Sequence, residues 1–154
     1  MAALFIDSSC LVKRYILETG TVWVINQLRP SAANRIFVAN ITGIEVSSAL
    51  ARRVKNKSIS QTVANKALKR FRHDFDKRFV VIELTPNIIE SGISLAQKYA
   101  LRGYDTAQLA VGLSVKNRLA SGGVKDFTFV SADNALNLAA HAEGLPTDNP
   151  NDHP

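Results

Sequence analysis

Four carboxylates in this chain stand where folding could gather them. Asp7 closes the apolar run Leu4-Phe5-Ile6, and Asp133 follows Phe129-Val130-Ser131-Ala132. Glu45 and Asp105 fall in the first turns of segments that read as helices. Carboxylates crowded into one cleft repel one another and push their pKa values up. A divalent cation removes that cost. An all-oxygen donor set selects Mg²⁺ or Mn²⁺ over Zn²⁺, and no Cys/His cluster competes for it. Such an ion beside a basic surface is what metal-assisted phosphodiester cleavage needs. The ion offsets charge on the scissile phosphate and generates hydroxide from water, while basic side chains hold the rest of the backbone.

Each acid also has a purely local role open to it. Asp7, before Ser8-Ser9, suits the cap of a first helix, and Asp133 the cap of the last. Thr42-x-x-Glu45 has the form of a capping box, and Asp105 in a first turn suits the helix dipole. Capping and metal binding are compatible, because a first-turn carboxylate can do both. Ser131 has two readings: it bonds a ligand carboxylate or a substrate phosphate, or it caps the helix through Ser131-x-x-Asn134. Cys10 reads as a small buried apolar residue. His73, His141 and His153 have no partner at metal-ligand spacing, and Glu83 and Glu90 read as solvated.

The chain carries 19 Lys+Arg against 13 Asp+Glu. Ten of those cations fall between Arg52 and Arg78, against only Asp74 and Asp76, so that segment carries +8 and the remainder −2. A nucleic-acid clamp involving Arg52, Arg53 and Lys55 is one reading; a solvated helix pair and a protein-docking surface are the others.

The elements that must position the acids follow from patterning. Residues 3–7, 35–39, 79–84 and 127–131 read as short buried strands. Helices are expected from Ser8 to about Glu18, Thr21 to Arg29, Thr42 to Val54, 60 to 78, Pro86 to about Leu101, Tyr104 to Leu119 and Asp133 to Glu143. Strands alternating with helices argue for a parallel sheet covered on both faces, and sites in such sheets form at the carboxyl ends of the strands. A length of 154 residues with 46% hydrophobic content fits one domain. That domain is assigned to residues 1–146, leaving 147–154 as a polar tail with little regular structure and at most one very short fifth strand. A single Cys excludes an intramolecular disulfide and fits a reducing, cytoplasmic setting. No apolar run is long enough to span a membrane, and no signal peptide is expected.

Four stretches carry a family resemblance. Phe5-Ile6-Asp7-Ser8-Ser9, followed by Leu11-Val12-Lys13 and Tyr15, resembles the opening motif of PIN-domain ribonucleases, particularly VapC-type toxins. Thr42 through Leu50, with Glu45 inside, resembles the second motif. Gly103-Tyr104-Asp105-Thr106-Ala107-Gln108-Leu109-Ala110 is similar to the third almost letter for letter. Phe129-Val130-Ser131-Ala132-Asp133, with Leu136, Ala139-Ala140 and Glu143-Gly144-Leu145, is similar to the fourth. The resemblance spans essentially the whole chain. It implies a three-layer α/β/α sandwich with a mostly parallel sheet of four to five strands, and an Mg²⁺- or Mn²⁺-dependent endoribonuclease. Asp7, Glu45, Asp105 and Asp133 would hold the metal and carry catalysis; Ser8, Ser131 and the locally basic Arg52, Arg53 and Lys55 are the candidate contacts to the RNA substrate. It further implies a homodimer and an antitoxin partner that blocks the acidic pocket. A haloacid-dehalogenase-like phosphatase also begins with Asp after strand one, but it needs a second Asp where this chain has Ser9. A PIN-like binding module that has lost catalysis is the alternative from a different class; loss of one acid would mark it, and all four are present.

Overall fold

Alternation at two-residue spacing divides the strand side chains between two cores. In β1 (Ala3–Ile6), Leu4 and Ile6 join one core and Ala3 and Phe5 the other. In β2 (Arg35–Ala39), Ile36 and Val38 go one way and Phe37 and Ala39 the other. Strands apolar on both faces need helices on both. The computed structural model, which describes residues 1–154, shows them arranged as an α/β/α sandwich. The remaining strands are β3 (Val80–Ile82), β4 (Phe127–Val130) and β5 (Thr147–Asp148). All pairings are parallel, in the order β3-β2-β1-β4-β5.

One face is covered by α1 (Ser8–Leu11), α2 (Thr21–Leu28), α3 (Thr42–Lys55) and α4 (Gln61–Lys77), through Cys10, Leu11, Val24, Leu28, Val46, Leu50 and Phe71. The other is covered by α5 (Pro86–Tyr99), α6 (Gly103–Ser121) and α7 (Asn134–Ala142), through Ile88, Leu95, Leu109, Val115 and Leu136. Ser60 and Thr85 cap α4 and α5, each accepting a bond from a backbone N–H three residues on. Helix α6 packs closely on the sheet at Gly112. A Cβ at Gly112 would stand 2.7 Å from the Phe129 ring, which stacks on Phe5 with centroids 5.3 Å apart.

The chain runs from β1 outward to β2 and β3, then returns to the other side of β1 for β4 and β5. The carboxyl ends of β1 and β4 are therefore a topological switch point, where diverging connections leave a crevice.

Three expectations need correction. The first helix does not reach Glu18: α1 ends at Leu11 and tightens into a 3₁₀ turn at Val12–Arg14. Tertiary contacts explain the break. Tyr15 turns its ring edge-on to Phe71 and donates its hydroxyl to Asp74, so the expected apolar residues are buried without a continuous helix. Strand three is shorter than 79–84. The tail is more ordered than expected: β5 pairs with β4 at two positions and leads into a 3₁₀ turn at Pro150–Asp152. His153 bonds Asp148 at 2.8 Å and stacks on Trp23. No helix is long and apolar enough to cross a membrane.

Candidate active site

Asp7 follows the last residue of β1 and caps α1. One carboxylate oxygen accepts the Cys10 N–H at 3.0 Å. The Ser9 hydroxyl lies 2.9 Å from both oxygens, and Ser131 donates to Oδ2 at 3.0 Å. Burial pushes the carboxyl up to about 7, against the pull of the Cys10 N–H and the two hydroxyls, and the nearby Glu45 charge pushes the same way. The serines also join the ends of β1 and β4: Ser9 Oγ accepts the Ala132 N–H at 2.9 Å and Ser131 Oγ accepts that of Asp133 at 3.0 Å. Of the two readings of Ser131, the carboxylate-bonding one matches the structure. Ser131 is fully buried, and the cap of α7 is Asp133, which accepts the Leu136 N–H at 3.0 Å.

Glu45 lies in the first turn of α3, but the capping box does not form. Thr42 is already inside the helix, and the preceding Ile41 offers no side-chain cap. The Gln108 amide instead reaches from α6 to donate to Thr42 Oγ1 at 2.9 Å and Glu45 Oε2 at 2.5 Å. Gln108 is fully buried and its Oε1 has no partner. Burial raises the Glu45 pKa; Gln108, Ser8 and the Arg52 charge oppose the rise, while the Asp105 charge adds to it. Asp105, in the first turn of α6, is raised by burial and by the Asp133 charge, with Arg102 opposing. Each acid thus feels the next, from Asp7 to Glu45 to Asp105 to Asp133.

Glu45, Asp105 and Asp133 line one open cavity of about 670 Å³, together with Ser8, Ser9, Lys13, Glu18, Arg52, Arg53, Arg102 and Tyr104. Asp7 lies behind this lining, 2% exposed. Lys55 is outside it and borders a shallow groove with Gln61 and Ala64. None of the basic residues of α4 reaches the cavity. The expected basic clamp is therefore represented at the cavity by Arg52 and Arg53. His73, His141, Glu83 and Glu90 are exposed, and Cys10 is buried.

The donor set suits a hard cation: all oxygen, with three members whose pKa values are raised by burial and mutual repulsion. Glu45, Asp105 and Asp133 share a cavity with Asp7 behind it, but no three His, Cys, Asp or Glu side chains are close enough together to hold a metal ion.

Ser9, Gln108, Lys13 and Glu18 were not expected at the site. Ser9, two residues after Asp7, had a local signal, because a hydroxyl there can bond the carboxylate. A Gln inside the apolar run Thr106–Val111 had another, because a buried amide needs partners.

A parallel sheet with its acids at the switch point, helices on both faces and the order 3-2-1-4-5 is a PIN-like sandwich. Solved structures share this fold. PAE2754 of Pyrobaculum aerophilum aligns over 95% of this chain and 89% of its own at 18% identity, TM-score 0.63. FitAB, solved bound to an IR36 DNA fragment, aligns over 96% and 94% at 12% identity, TM-score 0.65. VapBC2 of Rickettsia felis, solved bound to promoter DNA, aligns over 96% and 98% at 12% identity, TM-score 0.59. No protein-family model and no curated protein matches the sequence.

Proposed function

We propose that this chain is an Mg²⁺- or Mn²⁺-dependent endoribonuclease and the toxin component of a toxin–antitoxin pair, working in the cytoplasm. The observation that carries the activity is the one cavity lined by Glu45, Asp105 and Asp133, with Asp7 buried beside it. The toxin role is supported by the fold shared with a toxin–antitoxin complex from Klebsiella pneumoniae.

Asp7, Asp105 and Asp133 would hold the cation, with Glu45 completing the site. When bound, the ion would supply Lewis acidity. Ser9 and Ser131 fix the Asp7 carboxylate, and Gln108 fixes one oxygen of Glu45 so that the other can orient the attacking water and take its proton. In-line attack on phosphorus expels the 3′-oxygen and leaves a 5′-phosphate. Arg52 and Arg53 on the cavity wall, with Ser8 at its floor, hold the strand. An antitoxin segment would enter the same cleft through an Arg that substitutes for the cation's charge, and the working unit is a homodimer.

One observation favours a second reading, a catalytically silent PIN-like binding module: the acids do not converge into a coordination sphere. Incubation of a panel of single-stranded and stem-loop RNAs with the purified chain separates the two. The nuclease reading expects cleavage with Mn²⁺ or Mg²⁺, 5′-phosphate ends, and loss of activity with EDTA or in Asp105→Asn. An uncut panel together with no Mn²⁺ binding by calorimetry would establish the silent module.

A further inference from the structure

Lys13 is charged and nine-tenths buried, at 6% exposure, on the 3₁₀ turn that follows α1. Its Nζ lies 3.2 Å from Glu18 Oε2. The other oxygen of that carboxylate is taken by the Arg53 guanidinium from α3. All three side chains line the cavity that holds Glu45, Asp105 and Asp133, and Arg52 lies beside them. The cavity therefore has an acidic end and a cationic end, and the cationic end keeps an excess of positive charge after Glu18 is counted.

A buried lysine is costly unless it is paired, and one carboxylate for two cations leaves the pairing incomplete. Glu18 meets Lys13 and Arg53 with one oxygen each. Two non-bridging oxygens of a phosphodiester present nearly the same span and the same charge to the same donors. Glu18 comes from the loop between the 3₁₀ turn and α2, tethered by its N–H to Thr21 Oγ1 at 2.9 Å. Its side chain is about a quarter exposed, so it can leave toward water without unpacking a helix.

We infer that Lys13 and Arg53 form a subsite for a phosphodiester next to the scissile one, and that Glu18 occupies this subsite until RNA displaces it. The inference rests on the ribonuclease reading of the same cavity. RNA then spans both ends, with one phosphate at the carboxylates and a neighbour at Lys13 and Arg53. Glu18 lowers affinity by competing for the subsite and keeps the buried lysine paired when no RNA is present.

The test measures binding without cleavage: fluorescence anisotropy of a labelled single-stranded RNA in EDTA, across a salt series. Lys13→Met, close in volume, should weaken binding about tenfold, the loss of one charge-assisted contact. It should also flatten the dependence of log K on log salt by roughly 0.7. Glu18→Gln should tighten binding several-fold, a gain that a trio serving only to brace the fold does not produce. Should Lys13→Met fail to fold, Glu18→Gln alone decides. Wild type that binds RNA while Glu18→Gln binds equally or more weakly overturns the subsite and leaves the nuclease reading standing. Wild type that binds no RNA either in EDTA or with Ca²⁺ in its place removes both.

Discussion

Replacing Asp7 with Asn should stabilise the metal-free fold and, on the proposed nuclease reading, abolish cleavage. Asp7 is 2% exposed, and its carboxyl is pushed from an ordinary 3.8 up to about 7. The native state therefore binds a proton more tightly than the unfolded chain does. Its contribution is fully present below about pH 4 and is lost as pH rises through about 7. At ~1.4 kcal/mol per pKa unit, the charged residue costs the native state about 4 kcal/mol above pH 8. Asn escapes this cost and keeps the geometry. Its amide oxygen still accepts the Cys10 N–H, and its NH₂ faces the Ser9 and Ser131 hydroxyls, which rotate to accept. Urea unfolding in EDTA, followed by circular dichroism from pH 4 to 9, checks this. The two proteins should coincide near pH 4 and diverge above it, the variant gaining about 4 kcal/mol, or roughly 10 °C in Tm for a chain of this size. Mn²⁺ should narrow the gap by stabilising wild type alone. A difference independent of pH, or a variant less stable throughout, would refute the electrostatic account of Asp7.

Asp74 should behave with the opposite sign. Buried on α4, it accepts bonds from Arg14, Tyr15 and Arg78 at 2.7, 2.9 and 2.8 Å. Burial alone would raise its pKa, yet those donors hold it below the usual carboxylate range. Asp74→Ala should cost about 3–5 kcal/mol by leaving guanidiniums unpaired. The wild-type contribution, present above about pH 4, should disappear on acidification, as chemical denaturation at pH 3 and 7 would show. Gly112→Ala forces a methyl into the Phe129 ring and should lower stability by about 1–3 kcal/mol in thermal melts. Arg52→Gln should flatten the salt dependence of RNA binding by roughly 0.7, while Lys55→Gln, facing away from the cavity, should leave it unchanged.

Much of the architecture was legible because burial on both sheet faces writes short continuous apolar runs into β1 and β2, and the pair Thr85-Pro86 marks the start of α5. The acids at strand ends were legible for the same reason: parallel topology puts those ends on one edge. What escaped the sequence depended on contacts between distant segments. The break after Leu11 is set by Phe71 and Asp74, some sixty residues away. The pattern Thr42-x-x-Glu45 looks like a capping box, but its side chains are claimed by Gln108. Lys13 adjoins an apolar run with no local hint that it is buried, since its partners Glu18 and Arg53 come from a loop and from α3. The order of residues 147–153 rests on pairing with β4 and on Trp23.

The serine bonds around Asp7 have a consequence for biosynthesis. Ser131 is 124 residues downstream of the carboxylate it holds, and the N–H that steadies Ser9 belongs to Ala132. Translation at ~5–20 residues per second separates the appearance of Asp7 from that of Ser131 by roughly 6–25 seconds. Throughout that interval the emerging polypeptide has neither β4 nor the hydroxyl that completes the Asp7 cage. A product truncated before β4 lacks the Ser131 hydroxyl, the Ala132 N–H and the Asp133 carboxylate, and so cannot assemble the cleft.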